Sequence, residues 1–237
     1  MSYNQYTPQR FSFLPEVVKN LLIINGIFFL ATIVAESKFG VDLTQLLGMH
    51  FPKSDQFKPL QIVTYMFMHG SFSHLFFNMF ALWMFGSNIE NYWGAKRFLI
   101  YYMVTGLGAI FIHYVVLYYT EILPALREIE QYNILGRLED AELFTKTYYN
   151  SIPPVVGASG AVFGLLLAFG MLFPNQTIYL YFAIPIKAKY FVMLYGAIEL
   201  FSGIYNSSAD NVAHFAHLGG MLFGFVLIRM WRKQGYY

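Results

Sequence analysis

The sequence contains no cysteine, and only 12% of its 237 residues are charged. The lack of cysteine excludes a disulfide framework, a thiolate metal site and a cysteine nucleophile. Because 57% of the residues are apolar and 20% are aromatic, the composition also excludes an ordinary soluble domain. The formal net charge of +2 is too small to indicate a nucleic-acid partner, and we predict none.

Long apolar segments recur along the chain and predict an all-α, polytopic membrane protein. A bilayer core of roughly 30 Å requires about 20 residues of helix. The segments predict six spans, near residues 20–35, 73–88, 98–119, 158–173, 190–204 and 212–230. Residues 36–61 mix charge, glycine and proline with apolar residues, which favours a folded loop on the membrane surface. Residues 1–13 lack the form of a cleavable signal peptide, so we expect the first span to remain as an anchor.

The charge distribution predicts the orientation of these spans. We divide the chain into a cytoplasmic segment 1–19, a membrane domain 20–231 and a cytoplasmic tail 232–237. The polar region at about 120–154 is predicted to form short amphipathic helices in an extracytoplasmic insertion. The side that holds both termini carries nine Lys and Arg residues and the other side carries six. Cytoplasmic loops are the ones enriched in Lys and Arg, so both termini are predicted to be cytoplasmic.

Ser159 lies between glycines at the start of the fourth predicted span. Pro153 and Pro154 keep the preceding backbone extended, so the helix is expected to begin close to the serine. Two interpretations follow from this segment. Ser159 is either a helix N-cap among small packing residues or a nucleophile, which would need a base to take its proton.

His217, early in the sixth span, is the best base that the sequence offers. Gly220 and Gly224 form a Gly-xxx-Gly face beside it, and Gly160 and Gly164 form another beside Ser159. Such faces allow two helices to approach backbone to backbone. We therefore expect the fourth and sixth spans to bring the imidazole within reach of Ser159. Phe163, one turn after the serine, is expected to pack on the imidazole ring.

A tetrahedral intermediate also requires donors for its oxyanion. His74 and Asn78 lie four residues apart, on one face of the second span, and could serve together with the Ser159 backbone N–H. No Asp or Glu is expected at the depth of these groups, which predicts a Ser–His dyad without a carboxylate. Glu199, in the fifth span, is expected to make a structural hydrogen bond.

The chain resembles the rhomboid family of intramembrane serine proteases, in its bacterial-type form with six transmembrane helices. Three segments carry the resemblance: residues 69–78 (HGSFSHLFFN), 157–160 (GASG) and 216–224 (AHLGGMLFG). The first contains His69 and the second begins with Gly157. We count these two as supporting residues of the site, together with Phe163, Gly160, Gly220 and Gly224. At residues 59–61 the chain departs from the family pattern, since it has Pro-Leu-Gln where the family often has a Trp-Arg or Pro-Trp-Gln signature.

The resemblance implies the role of each site residue. Ser159 would be the nucleophile, His217 the general base and acid, and His74 and Asn78 would line the oxyanion hole. The reaction would be cleavage of transmembrane segments in single-pass or polytopic membrane proteins, through an acyl-enzyme, without metal or cofactor. The protein would lie in a lipid bilayer, which we expect to be a prokaryotic inner (plasma) membrane, with its active site toward the extracytoplasmic face.

Two alternatives and one open question remain at this stage. The chain could be an inactive rhomboid-like binder of membrane helices. It could also be a metal-dependent membrane hydrolase with histidine ligands at His69, His74, His214 and His217. The sequence does not indicate an oligomeric state.

Overall fold

The computed structural model describes residues 11–134, 138–180, 183–205 and 213–235. Four predicted features fall partly outside these ranges. They are the two terminal segments, the insertion near 120–154, and the start of the sixth span at residue 212.

Helices account for most of the described chain, and the all-α fold class is confirmed. The helices are α1 (Glu16–Phe39), α2 (Leu43–Leu47), α3 (Gln61–Thr64), α4 (Phe72–Ala81), α5 (Ser87–Trp93), α6 (Ala95–Leu117), α7 (Leu123–Ile134), α8 (Leu138–Ser151), α9 (Ser159–Leu172), α10 (Ala188–Ile204) and α11 (His214–Lys233). A short 3₁₀ turn, Tyr65–Phe67, follows α3. Two short strands, β1 (Thr177–Leu180) and β2 (Ile184–Lys187), pair in antiparallel register with Thr177 opposite Lys187. They lie between the fourth and fifth predicted spans, where no strand was predicted.

Two predicted breaks between helices are replaced by nearly continuous helix. A π-helical turn, Leu82–Gly86, joins α4 to α5, and Gly94 alone separates α5 from α6. A second π turn, Tyr118–Ile122, joins α6 to α7, so the third helix does not end near residue 119 as predicted. Pro124 follows this turn and has no N–H to donate to the preceding turn of the helix.

The apolar helices differ in whether they are long enough to cross a bilayer. Among the described residues, two helices are long and apolar enough to cross a bilayer, Glu16–Phe39 and the continuous helix Ala95–Glu130, and Ser159–Leu172 is a shorter apolar helix. The apolar window of the first is 22% buried and that of the second is 44% buried. The first helix therefore lies at the periphery of the bundle, whereas α6 lies near its centre.

Helix α6 forms the centre of the bundle because small residues let α9 and α11 approach it closely. A Cβ added to Gly164 would lie 2.6 Å from the Cβ of Thr105. A Cβ added to Gly224 would overlap the hydroxyl of Tyr101. The Tyr101 hydroxyl donates to the carbonyl of Gly164 at 2.8 Å. One aromatic residue of α6 thus connects both neighbouring helices.

Gln61 organises the surface loop that connects α1 to α4. Its Nε2 donates to the carbonyls of Leu46 and Gln56, at 3.1 and 3.0 Å, and its Oε1 accepts from the amide of Lys58 at 3.0 Å. The side chain is buried. Although the sequence departs from the family signature at residues 59–61, this glutamine holds the loop in one conformation.

Asn150, near the end of α8, attaches that helix to the same loop. Its Oδ1 accepts from the Ser54 hydroxyl and the Asp55 amide, both at 2.9 Å. Its Nδ2 donates to the Asp55 carboxylate, which also pairs with Lys146 at 3.1 Å. The Asn150 amide and the Lys146 ammonium hold the pKa of the Asp55 carboxyl below its ordinary value.

Glu90 caps the N-terminus of α1 from the neighbouring helix. Its two carboxylate oxygens accept from the amides of Val17 and Val18, at 2.9 and 2.8 Å. These amides have no partner within α1, and the Glu90 side chain is buried. We expect Glu90→Gln to lower the free energy of unfolding by about 1–3 kcal/mol, because a charge-assisted acceptor is lost at a helix N-terminus.

Thermal unfolding in detergent measures this change. Glu16→Gln is the matched control, since Glu16 is an exposed acid in the first turn of the same helix. The control should change stability by about 0.5 kcal/mol or less. Equal stability of the two variants would contradict the capping role of Glu90.

Candidate active site

The backbone before Ser159 is fixed by two other segments. Met49 and Val155 exchange both backbone hydrogen bonds at 2.9 Å, and the amide of Gly157 donates to the carbonyl of Tyr65 at 2.9 Å. The two prolines just before Val155 cannot donate and favour this extended path. The backbone of the irregular segment 153–158 is therefore held by hydrogen bonds to two other segments, at Met49 and at Tyr65.

The Ser159 side chain does not cap its own helix. Ala158 occupies the N-cap position of α9, and no side-chain capping bond is present there. The Ser159 Oγ instead lies 2.8 Å from Nε2 of His217. The N-cap interpretation of this serine is therefore wrong, and its hydroxyl is directed at an imidazole on α11.

Phe163 orients the His217 imidazole. The two rings are stacked, with centroids 4.2 Å apart and an interplanar angle of 5°. His217 itself is buried, whereas Ser159 is half-buried. The histidine is thus held in one orientation while the serine keeps some exposed surface.

The four glycines of the two Gly-xxx-Gly faces do not act alike. A Cβ on Gly220 would overlap the carbonyl oxygen of Gly160, so α9 and α11 touch backbone to backbone there. Gly164 and Gly224 instead face α6, as described above. The predicted close approach of the two helices occurs at one glycine pair rather than two.

His74 lies beside the serine. Gly157 has a φ of +128°, and a Cβ on it would lie 2.7 Å from Nε2 of His74 and 3.7 Å from the Ser159 Oγ. Only glycine fits this site without strain. The His74 ring contacts the buried His69 edge-on, with centroids 4.9 Å apart. The hydrogen bond that the structure gives the Asn78 side chain is to the His74 carbonyl, at 3.1 Å, and lies within its own helix.

Glu199 corrects the prediction that no carboxylate lies near the serine and histidine. Its Oε2 is 2.8 Å from Nδ1 of His217 and 2.7 Å from Nδ1 of His214. Glu199 lies in α10, about 7.5 Å before the end of that helix, and His217 lies about 4.5 Å into α11 at 1.5 Å per residue. Counting inward from the connection between these helices would have placed the two residues at similar depth.

The same three residues are the group that could hold a metal ion. Among the residues that the structure describes, the candidate ligand atoms of Glu199, His214 and His217 lie within 4.8 Å of one another, and all three side chains are buried. His69 and His74 are not part of this group. The four-histidine metal site considered from the sequence is therefore not assembled in the described part of the chain.

These features define a helical bundle with a serine hydroxyl bonded to an oriented imidazole, the arrangement found in serine hydrolases. The family model of the rhomboid domain matches residues 56–234. The chain belongs to the rhomboid family. It is thus an integral membrane protein, and family membership supports a function of the intramembrane-protease type.

The chain is similar to rhomboid proteins that include fungal and plant members. The chain is 30% identical over 166 residues to Rhomboid protein 1, mitochondrial, of Saccharomyces cerevisiae, covering 70% of this chain and 40% of the relative. It is 29% identical over 168 residues to RHOMBOID-like protein 6, mitochondrial, of Arabidopsis thaliana, covering 70% and 42%. RHOMBOID-like protein 12, mitochondrial, of the same plant is 29% identical over 207 residues, covering 86% and 55%. The chain spans about two fifths of the length of the first two relatives.

Proposed function

We propose that this chain is a serine endopeptidase that cleaves transmembrane segments of other membrane proteins within the bilayer. The observation that carries the proposal is the 2.8 Å contact between the Ser159 Oγ and Nε2 of His217. A serine hydroxyl is a weak nucleophile until a base accepts its proton. Rhomboid membership supports the same class of reaction.

The proposed reaction proceeds through an acyl-enzyme. As the Ser159 Oγ attacks the scissile carbonyl carbon, the hydroxyl proton moves to Nε2 of His217. The intermediate collapses when the same proton passes to the leaving amine, and water then hydrolyses the ester. His74, Asn78 and the Ser159 backbone N–H are the proposed oxyanion donors. For Asn78 this role requires a side-chain orientation other than its bond to the His74 carbonyl.

A substrate helix must unwind locally before it can react. Its scissile peptide is shielded by its own hydrogen bonds, which in the bilayer core have no water to replace them. Ser159 begins a helix of 14 residues, about 21 Å long, which is shorter than a bilayer core of roughly 30 Å. Ser159 therefore lies below the extracytoplasmic surface if the other end of α9 reaches the cytoplasmic one.

The proposed orientation has both termini in the cytoplasm and the active site toward the extracytoplasmic face. It rests on the distribution of Lys and Arg between the two sides of the bundle. The expectation of a prokaryotic inner membrane and of a bacterial-type member rests on the sequence resemblance, whereas the relatives named above carry mitochondrial names.

Cleavage of a model transmembrane substrate tests the proposal. The purified chain in detergent is expected to cut a single-pass substrate within or next to its membrane segment, and Ser159→Ala is expected to leave it intact. Absence of cleavage by the wild type, or equal cleavage by Ser159→Ala, would refute the proposed function.

A further inference from the structure

The second half of α10 is joined to the active site through one carboxylate. Most of the large apolar side chains of this helix are exposed, as in Met193 at 68% and Phe201 at 63%. In the half that begins at Gly196, the one buried residue is Glu199. A carboxylate within a membrane helix is costly and marks a functional site by default. This one is directed at two histidines of α11.

We propose that Glu199 is a positioning residue for the proposed protease reaction, and that it completes a Ser159–His217–Glu199 triad. The inference rests on the proposed function. Its geometric basis is a continuous line of contacts from the Ser159 Oγ through Nε2 and Nδ1 of His217 to Glu199 Oε2, each 2.8 Å long.

The contact determines which nitrogen of His217 carries the proton. An ionised carboxylate can only accept hydrogen bonds, so the Nδ1 facing it is the protonated nitrogen of the neutral ring. Nε2 is then left with a lone pair directed at the Ser159 hydroxyl, which is the tautomer that a general base requires. When Nε2 takes the serine proton, the imidazolium lies beside the carboxylate. Glu199 stabilises that charge without itself becoming protonated.

His214 supports the carboxylate from a second direction. Its Nδ1 lies 2.7 Å from the same oxygen, and its ring is nearly perpendicular to that of His217, at 88°. The two histidines are three residues apart and therefore lie on one face of α11. Two donors converging on one oxygen offset part of the cost of burying a carboxylate and restrict its position.

The spacing fits hydrogen bonds more closely than metal coordination. Ligand atoms at 2.0–2.1 Å from a tetrahedral zinc ion lie about 3.3 Å apart. The two nitrogen–oxygen distances here are 2.7 and 2.8 Å. The other nitrogen of His217 is already engaged by Ser159.

Two substitutions at Glu199 separate positioning from a structural role. Glu199→Gln removes the charge and nearly keeps the shape, and it is expected to lower kcat by roughly 10²–10⁴-fold with KM within about threefold of wild type. Glu199→Asp keeps the carboxylate and is expected to recover at least about tenfold of that loss. The matched control is Glu90→Gln, which neutralises another buried carboxylate outside the site and is expected to leave kcat unchanged.

Imidazole NMR tests the arrangement independently of activity. In wild-type protein labelled with ¹⁵N-histidine, neutral His217 should carry its proton on Nδ1. The His217 signals are assigned as those that disappear in the His217→Asn variant. EDTA should leave cleavage unchanged.

Four results would overturn the inference: wild-type kcat in Glu199→Gln, Glu199→Asp as slow as Glu199→Gln, a His217 proton on Nε2, or loss of cleavage with EDTA that zinc restores. A wild-type chain that cleaves nothing would refute the proposed function instead, and the NMR result would still decide the placement of Glu199.

Discussion

The double variant Ser159→Ala/His217→Ala is expected to cleave a transmembrane substrate no more slowly than either single variant. Each single substitution should lower kcat/KM by on the order of 10⁴ or more, because the hydroxyl and the imidazole transfer one proton between them. Once either group is absent, the other has no partner to act on. Adding the second substitution is therefore expected to change kcat/KM by less than about threefold.

Initial cleavage rates in detergent, at several substrate concentrations, measure this effect. Ser37→Ala is the matched control, because the Ser37 hydroxyl bonds to its own helix at the Val34 carbonyl and should leave the rate unchanged. If the loss of kcat/KM in the double variant, relative to wild type, equalled the product of the two single losses, the two residues would act independently. That result would contradict the proposal that Ser159 and His217 act as a pair.

Gly220→Ala is expected both to destabilise the protein and to inactivate it. The added methyl would overlap the carbonyl oxygen of Gly160, so α9 and α11 must separate. Overpacking of this kind costs roughly 1–3 kcal/mol. The same separation lengthens the contact between Ser159 and His217, and a displacement of about 1 Å can cost on the order of 10² in rate.

Thermal unfolding and cleavage of the same preparation measure the two effects. Gly26→Ala is the matched control, since a Cβ at Gly26 meets nothing within 4 Å, and alanine is the better helix former by up to about 1 kcal/mol. If Gly220→Ala were as stable and as active as Gly26→Ala, the proposed dependence of the site on this helix contact would be wrong.

The parts of the site that could be predicted from the sequence are those with short, local patterns. The glycines around Ser159 and beside His217 mark helix faces that approach closely, and the position of Phe163 one turn after the serine places it against the imidazole. Pro153 and Pro154 predicted where α9 begins, because the effect of a proline on the backbone extends over only one or two residues.

The contact of Glu199 with His217 was missed because it depends on how two helices are paired. Glu199 has no motif around it, and the apolar pattern of α10 gives no sign of which face meets α11. Its depth was computable from helix length, but its rotation about the helix axis was not. The general expectation that an intramembrane carboxylate is functional was the signal available.

Long-range contacts also limited the prediction of the fold. Tyr101 and Thr105 lie among ordinary apolar residues of α6, and only the packed bundle reveals that they fill the gaps left by Gly164 and Gly224. The continuation of α6 into α7 was missed because the sequence changes from apolar to polar near residue 120, which suggested the end of a span, whereas the π turn Tyr118–Ile122 continues the helix into α7. The strands β1 and β2 lack a strong alternation of apolar and polar residues, so no pattern in the sequence indicated them.

Labelling with a fluorophosphonate, followed by mass spectrometry of the peptides, tests most directly whether His217 activates Ser159. The reagent reacts with an activated serine and needs no protein substrate. We expect a single adduct, on the peptide that contains Ser159, in the wild-type chain, and none in His217→Ala. An adduct on a different serine, or equal labelling of Ser159 in both proteins, would contradict the account.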